Sequence, residues 1–156
     1  MVMKKILVII CILFYVSGFS QNDEKRLREF NLENKVAIQG YDPVAYFTKG
    51  KAVEGEKSLS VTYMGVIYYF SSKANRELFL KNPAAYEPQY GGWCAYAMGN
   101  SGEKVEVDPE TFKIIDGKLY LFYNAYFNNT LKKWNKNESV LKAKADKNWK
   151  KIITKM

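Results

Sequence analysis

Histidine is absent from all 156 residues of the sequence. This absence excludes a Ser-His-Asp or Cys-His catalytic centre, a histidine general base, and zinc or haem held by histidine. Cysteine is scarce as well, since Cys11 and Cys94 are the only two. An apolar fraction of 47% against 26% charged residues is typical of a chain that folds around a core. We therefore expect one folded domain and no enzyme.

The first twenty residues have the pattern of an export signal. Two lysines precede an uncharged apolar run over residues 6–16, and Gly18 and Ser20 place small residues before a cleavage site. We predict cleavage after about Ser20 and a periplasmic or secreted product, with an uncleaved signal anchor as the alternative. The mature chain would retain Cys94 as its one cysteine, so no internal disulfide is expected.

Positive charge is concentrated at the C-terminal end. Residues 21–130 carry 13 Lys and Arg against 14 Asp and Glu, whereas residues 131–156 carry nine against two. A nucleic-acid surface spreads basic residues among aromatics across a fold, so no nucleic-acid partner is expected. The basic tail has two interpretations, a surface for anionic lipid or the solvated side of core-packed helices. We favour the second, so membrane contact is not expected after signal removal.

Two β-hairpins and several helices are predicted. Residues 60–64 and 66–70 are rich in Val, Ile and Tyr and flank Gly65, while Asp116-Gly117 is a type I′ turn signal between two apolar strands. Apolar residues at helical spacing from residue 125 onward predict amphipathic helices. No internal repeat is evident. The patterns predict an α+β fold, with a small antiparallel sheet of two hairpins packed by helices.

Four sequence segments stand out in combination. They are AIQGYDPVAYF at residues 37–47, YFSS at residues 69–72 with Asn75, Phe79, Asn82-Pro83 and Tyr86 after it, YGGWCAYA at residues 90–97, and DGKLYL at residues 116–121. Together they resemble exported proteins with a single YHS domain, over roughly residues 35–151. The resemblance divides the chain into a signal peptide (1–20), a leading helix or linker (21–34), a YHS-like domain (35–124) and C-terminal amphipathic helices packed on it (125–156).

The resemblance implies a small α+β module and, for some members, binding of a soft metal. The metal-binding relatives place cysteines just after the aromatic residue of the hairpin and four residues further on. This chain has Ser71 and Asn75 at those positions, and it lacks the histidine of the family's name.

Cys94 and Met98 are the strongest candidates for a metal-binding site. Residues four apart on a helix lie on one side, and a thiolate with a thioether suits Cu(I) or another soft metal. Met64 is a candidate third ligand. Two alternatives remain: the sulfur atoms fill gaps in an aromatic core, or Cys94 is a redox-responsive thiol.

Aromatic side chains are the second candidate site. Tyr41, Tyr46, Tyr90, Trp93 and Tyr96 could line a pocket for a flat or apolar ligand, or they could be core residues of a small domain. A catalytic carboxylate pair is not expected, because Asp42 and Asp108 each precede proline and fit turn chemistry.

The sequence thus favours a non-enzymatic exported YHS-type binding module, for a soft metal ion such as Cu(I) or a small ligand, centred on Cys94. The alternatives are a redox-responsive thiol protein and a structural or interaction module whose partner contacts the basic tail. The sequence specifies neither the ligand nor an oligomeric state.

Overall fold

The computed structural model describes residues 22–155. The predicted signal peptide and its cleavage site after about Ser20 lie outside the described residues. The chain is helical over residues 22–29 (α1). The elements that follow are β1 (Leu32–Glu33), β2 (Val36–Ala37), α2 (Ala45–Thr48), β3 (Glu56–Tyr63), β4 (Val66–Phe70), α3 (Lys73–Lys81), α4 (Pro83–Tyr86), α5 (Ala95–Asn100), β5 (Asp108–Ile115), β6 (Lys118–Phe122), β7 (Asn124–Ala125), β8 (Asn128–Asn129), α6 (Thr130–Trp134) and α7 (Glu138–Thr154).

The α+β class is confirmed, and both predicted hairpins are present. The first, β3–β4, turns at Met64 and Gly65, and the second, β5–β6, turns at Asp116 and Gly117. All four turn residues have positive φ, as a two-residue turn with right-handed strand twist requires. The hairpins belong to separate sheets: the first lies in a four-stranded sheet of order β1-β2-β4-β3, and the second forms a sheet of its own.

The C-terminal helices form part of the core. Helix α6 buries Thr130 and Trp134, and α7 buries Leu141 and Ala145, while the lysines between them face outward. The backbones of α5 and α7 are in close contact at Gly99. Any larger residue there would clash, since its Cβ would lie 2.4 Å from the carbonyl oxygen of Leu141. The predicted amphipathic helices are confirmed from Thr130 onward, whereas residues 125–129 belong to a β-hairpin and not to a helix.

The second half of the domain repeats the first at a constant spacing of 52 residues. Strands β5 and β6 begin and end 52 residues after β3 and β4. Their pairing is also the same, since Tyr63 pairs with Val66 and Ile115 pairs with Lys118, and each ladder shifts register near its open end. The two hairpins are therefore equivalent in length, turn and register.

The segment in front of each hairpin repeats as well. Strand β2 pairs in parallel with β4 through Val36 and Ile67, and a parallel bridge joins Pro88 to Leu119 at the equivalent place. In each half, the segment before the hairpin therefore pairs in parallel with the second strand of that hairpin. This pairing explains why the two hairpins do not share one sheet.

A short left-handed turn follows each of these segments. Residues 38–40 have φ of 52°, 51° and 87°, and residues 90–92 have φ of 57°, 61° and 87°. Each turn is closed by a backbone bond, from Tyr41 N–H to the carbonyl oxygen of Ile38 at 2.9 Å and from Trp93 N–H to that of Tyr90 at 3.2 Å. Left-handed backbone is uncommon outside glycine, so three successive residues at matching places argue for a shared architecture.

The expectation of no internal repeat is therefore wrong. We define the first unit as residues 36–81 and the second unit as residues 88–134. Over residues 38–70 and their counterparts, eight of 33 paired positions are identical, among them Gly40 with Gly92 and Phe70 with Phe122. Such sparse identity hides the repeat from inspection of the sequence, whereas the backbone geometry reveals it.

Among residues 22–155, no helix combines the length and the apolar character needed to cross a membrane.

Candidate functional site

A buried carboxylate, Asp42, organises the first unit. Its side chain is fully buried. One oxygen, Oδ1, accepts hydrogen bonds from the backbone N–H groups of Val44 and Ala45 at 2.9 and 3.3 Å, which is the turn role expected of an aspartate before proline. The other oxygen, Oδ2, accepts from the backbone N–H and hydroxyl of Ser71 at 2.8 and 2.6 Å and from the side-chain amide of Asn75 at 2.7 Å. Five donated hydrogen bonds thus replace water around this carboxylate.

Ser71 and Asn75 are the two positions at which the metal-binding relatives carry cysteines. In this chain both side chains donate hydrogen bonds to Asp42. Neither position offers a thiolate, and both polar groups are engaged with the carboxylate. The sequence interpretation assigned Asp42 to a turn and missed this cluster. The signal that could have revealed it was the presence of two hydrogen-bond donors, Ser71 and Asn75, at the positions where the resemblance leads one to expect cysteines.

Cys94 is the counterpart of Asp42 in the second unit. The two residues are 52 positions apart, and both N–H groups donate to a backbone carbonyl eleven residues further along, at 2.8 and 2.9 Å. The residue after the hairpin donates to the side chain in both units: Ser71 N–H to Asp42, and Tyr123 N–H to Cys94 Sγ at 3.4 Å. Cys94 therefore occupies the position of a structural hydrogen-bond acceptor.

The structure places Cys94, Met98 and Met64 in three different surroundings. Cys94 is fully buried in the first core cluster, with Sγ 3.4 Å from the hydroxyl of Thr130. Met98 is buried in the second cluster. Cys94 precedes α5 with ψ of 115°, so it does not share the helical face of Met98. Met64 lies in the first hairpin turn, where its carbonyl oxygen accepts from Arg26 at 3.3 Å.

Tyr46 and Tyr90 are core residues that point to different partners. The hydroxyl of Tyr46 donates to the carbonyl oxygen of Pro109 at 2.9 Å, and that of Tyr90 donates to Asp146 at 2.8 Å. Burial is the main cause that raises the pKa of both phenols above the usual value, and Asp146 adds to the effect at Tyr90. Both side chains therefore act as hydrogen-bond donors rather than as bases.

The other three predicted ligand residues lie at the edges of the core. Trp93 donates its indole N–H to the carbonyl oxygen of Glu29 at 2.7 Å, so it holds α1 in place. Lys133 Nζ lies 5.8 Å from the ring centre of Tyr96, and Tyr41 is half-buried against the first cluster. The five aromatic residues thus connect separate parts of the fold and do not surround a common space.

Two other acidic residues, Glu87 and Asp108, are engaged in structural contacts. Glu87 pairs with Arg26 and accepts from the hydroxyl of Tyr68 in a half-buried cluster. Asp108 accepts from the hydroxyl of Thr111 at 2.7 Å. Within residues 22–155, no three His, Cys, Asp or Glu side chains gather as a metal site requires.

The sequence pattern placed Tyr126 and Phe127 on the core-facing side of a C-terminal helix, and this prediction is wrong, because both are almost fully exposed in a β-hairpin turn. Tyr126 and Phe127 are the two turn residues between β7 and β8, with exposed fractions of 92% and 112%. Both have positive φ, 51° and 62°, where glycine and asparagine are favoured. In the same hairpin, Asn128 Oδ1 is buried without a hydrogen-bond partner among the described residues. We call Tyr126 and Phe127 the aromatic tip.

The fold is a small α+β module built from two units, and the buried Asp42 of the first unit accepts five hydrogen bonds. Residues 44–90 match the family model of the YHS domain, which covers most of the first unit. This match confirms the predicted resemblance to YHS domain-containing proteins over those residues. Comparisons with curated proteins and with solved structures found no match.

Proposed function

We propose that this protein is a non-enzymatic exported binding module that contacts its partner through the aromatic tip. The observation that carries the proposal is the near-complete exposure of Tyr126 and Phe127 on a left-handed turn. Exposed aromatics are unfavourable in water, and this backbone conformation strains bulky residues, so neither feature serves the fold. Residues retained against stability at an exposed site are typical of binding.

The acidic residues and the composition support a non-enzymatic role. The chain has no histidine, and Asp42, Glu87 and Asp108 are engaged in hydrogen bonds within the fold. Export is supported by the pattern of residues 1–20, and mass analysis of the isolated protein tests it. A mature chain that begins at about Gln21 is expected, and a retained signal segment would contradict this part of the proposal.

Cys94 is structural in this proposal, which leads to a prediction for soft metals. The reduced protein will not take up Cu(I) stoichiometrically, because the thiol is fully buried and Met98 packs in another cluster. The measurement is titration with a competing Cu(I) chelator, with Cys94→Ser as the matched variant. Uptake of one Cu(I) that disappears in Cys94→Ser would restore the soft-metal hypothesis. Fast alkylation of the native thiol would restore the redox hypothesis instead.

The aromatic tip itself predicts a gain in stability on mutation. The double substitution Tyr126→Asn and Phe127→Gly will raise the free energy of unfolding by about 1 kcal/mol, since Asn-Gly is the preferred pair for a turn with two positive φ values. Urea denaturation measures the change.

The control is Asp116→Asn in the second hairpin turn, where Gly117 already relieves the backbone. This variant is expected to change stability by less than about 0.5 kcal/mol. Loss of stability in the aromatic-tip variant would show that Tyr126 and Phe127 serve the fold, and the proposed function would fall.

A further inference from the structure

We propose that the aromatic tip inserts into the interfacial region of an anionic lipid bilayer, with the lysines after it held against the headgroups. This inference rests on the proposed function and names its binding partner. It departs from the expectation that membrane contact is absent, because that expectation placed the aromatic residues of the tail on a core-facing side, whereas Tyr126 and Phe127 are exposed.

The shape of the aromatic tip suits a bilayer better than a protein partner. The hairpin of residues 124–129 contains, besides Tyr126 and Phe127, three asparagines and Ala125. Protein interfaces have an apolar core surrounded by a rim over a broad surface. Two protruding rings above a polar hairpin lack such a core. They can enter the headgroup region, where aromatic side chains are favoured.

The positive charge that follows the aromatic tip in the sequence is uncompensated. Of the nine lysines in residues 131–156, eight are exposed and Lys142 is half-buried. Both acids of this segment are engaged inward, Glu138 with Lys113 and Trp134, and Asp146 with Tyr90. Among the described residues, none of the nine lysines forms an ion pair. This charge complements a surface of anionic headgroups.

The internal repeat identifies the aromatic tip as an addition to the basic unit. In the first unit the chain passes from β4 to α3 through Ser71 and Ser72 alone. In the second unit the hairpin β7–β8 is added between β6 and α6, so the N-cap residues Ser72 and Asn129 are 57 positions apart instead of 52. The first unit closes without such a segment, and therefore the aromatic tip is not needed for closure.

Vesicle co-sedimentation of the mature chain tests the inference. The probes are phosphatidylcholine vesicles with and without about one-third phosphatidylglycerol. We expect binding to the anionic vesicles only, weakened by salt. The double substitution Tyr126→Asn and Phe127→Gly should weaken it at least tenfold, and Lys132→Gln with Lys133→Gln should also reduce it. The control Leu80→Asn changes an exposed apolar residue of the first unit and should leave binding unchanged.

Absence of binding to anionic vesicles, equal binding to neutral vesicles, or binding that is insensitive to the aromatic-tip variant would each overturn the inference. The proposed function has a separate test in the stability of the aromatic-tip variant. If the aromatic-tip variant is more stable and the protein does not bind vesicles, the bilayer proposal is excluded. The aromatic tip would then bind a protein partner, and the proposed function would stand.

Discussion

Replacement of Trp134 by alanine will lower the free energy of unfolding by about 4 kcal/mol. The indole of Trp134 is fully buried, and its ring centre lies 5.9 Å from that of Tyr120 and 5.5 Å from that of Phe122. Its N–H donates to Glu138 at 3.0 Å. Truncation opens a cavity between α6 and β6 and removes this bond at the start of α7. Urea denaturation followed by circular dichroism measures the loss.

Val140→Ala is the matched control, because Val140 belongs to the same tail but is 44% exposed. Its effect should stay below about 0.5 kcal/mol. A loss of less than about 1 kcal/mol for Trp134→Ala would contradict the assignment of the tail to the core. Residues 131–156 would then not belong to the core. This result would favour the alternative in which the basic tail is a surface for a partner. With Trp134 in the core, deletion of residues 131–156 should instead unfold the domain.

Local signals in the sequence predicted most of the secondary structure. Asp116-Gly117 specifies its turn because both residues adopt positive φ at little cost. The two serines before α3 indicate a helix cap, and it is Ser72 whose hydroxyl accepts from the N–H of Asn75 at 3.1 Å. Helical spacing placed Trp134, Leu141 and Ala145 on buried sides correctly. It placed Tyr126, Phe127 and Val140 there wrongly, since all three are exposed. Each of these signals acts over a few residues, so one sequence is sufficient to detect it.

Features that depend on distant residues escaped prediction. Asp42 and Asn75 are 33 residues apart, and no local pattern indicates that they bond. Cys94 and Met98 have the spacing of a shared helical face, but Cys94 precedes the helix and its side chain enters another cluster. A helix boundary displaced by one residue thus separates two side chains that the periodicity placed together.

The repeat clarifies the relation between Asp42 and Cys94. Both side chains are fully buried at the same place in their units, next to an N–H group donated by the end of the hairpin. The first unit surrounds its acceptor with Ser71 and Asn75, as a buried charge requires. In the second unit, Cys94 Sγ lies 3.4 Å from the hydroxyl of Thr130, which itself donates to the carbonyl oxygen of Tyr123 at 2.8 Å.

Asp42→Ala will lower the free energy of unfolding by about 4 kcal/mol, because it leaves buried donors without an acceptor. The donors are the N–H and hydroxyl of Ser71, the amide of Asn75, and two backbone N–H groups at the start of α2. Asp42→Asn should fall between the wild type and Asp42→Ala, since its amide keeps one acceptor oxygen but directs two donors at other donors. Thermal and urea denaturation of the purified variants measure both losses.

Asp108→Ala is the control, because Asp108 also precedes a proline and caps a turn, through the N–H of Glu110 and the hydroxyl of Thr111. Asp108 is half-buried, so water can reach the donors it would abandon, and the expected loss is about 1 kcal/mol. Equal losses for Asp42→Ala and Asp108→Ala would show that Asp42 acts through its turn alone. The bonds from Ser71 and Asn75 would then contribute little, and the assignment of Asp42 as the organising residue of the first unit would fail.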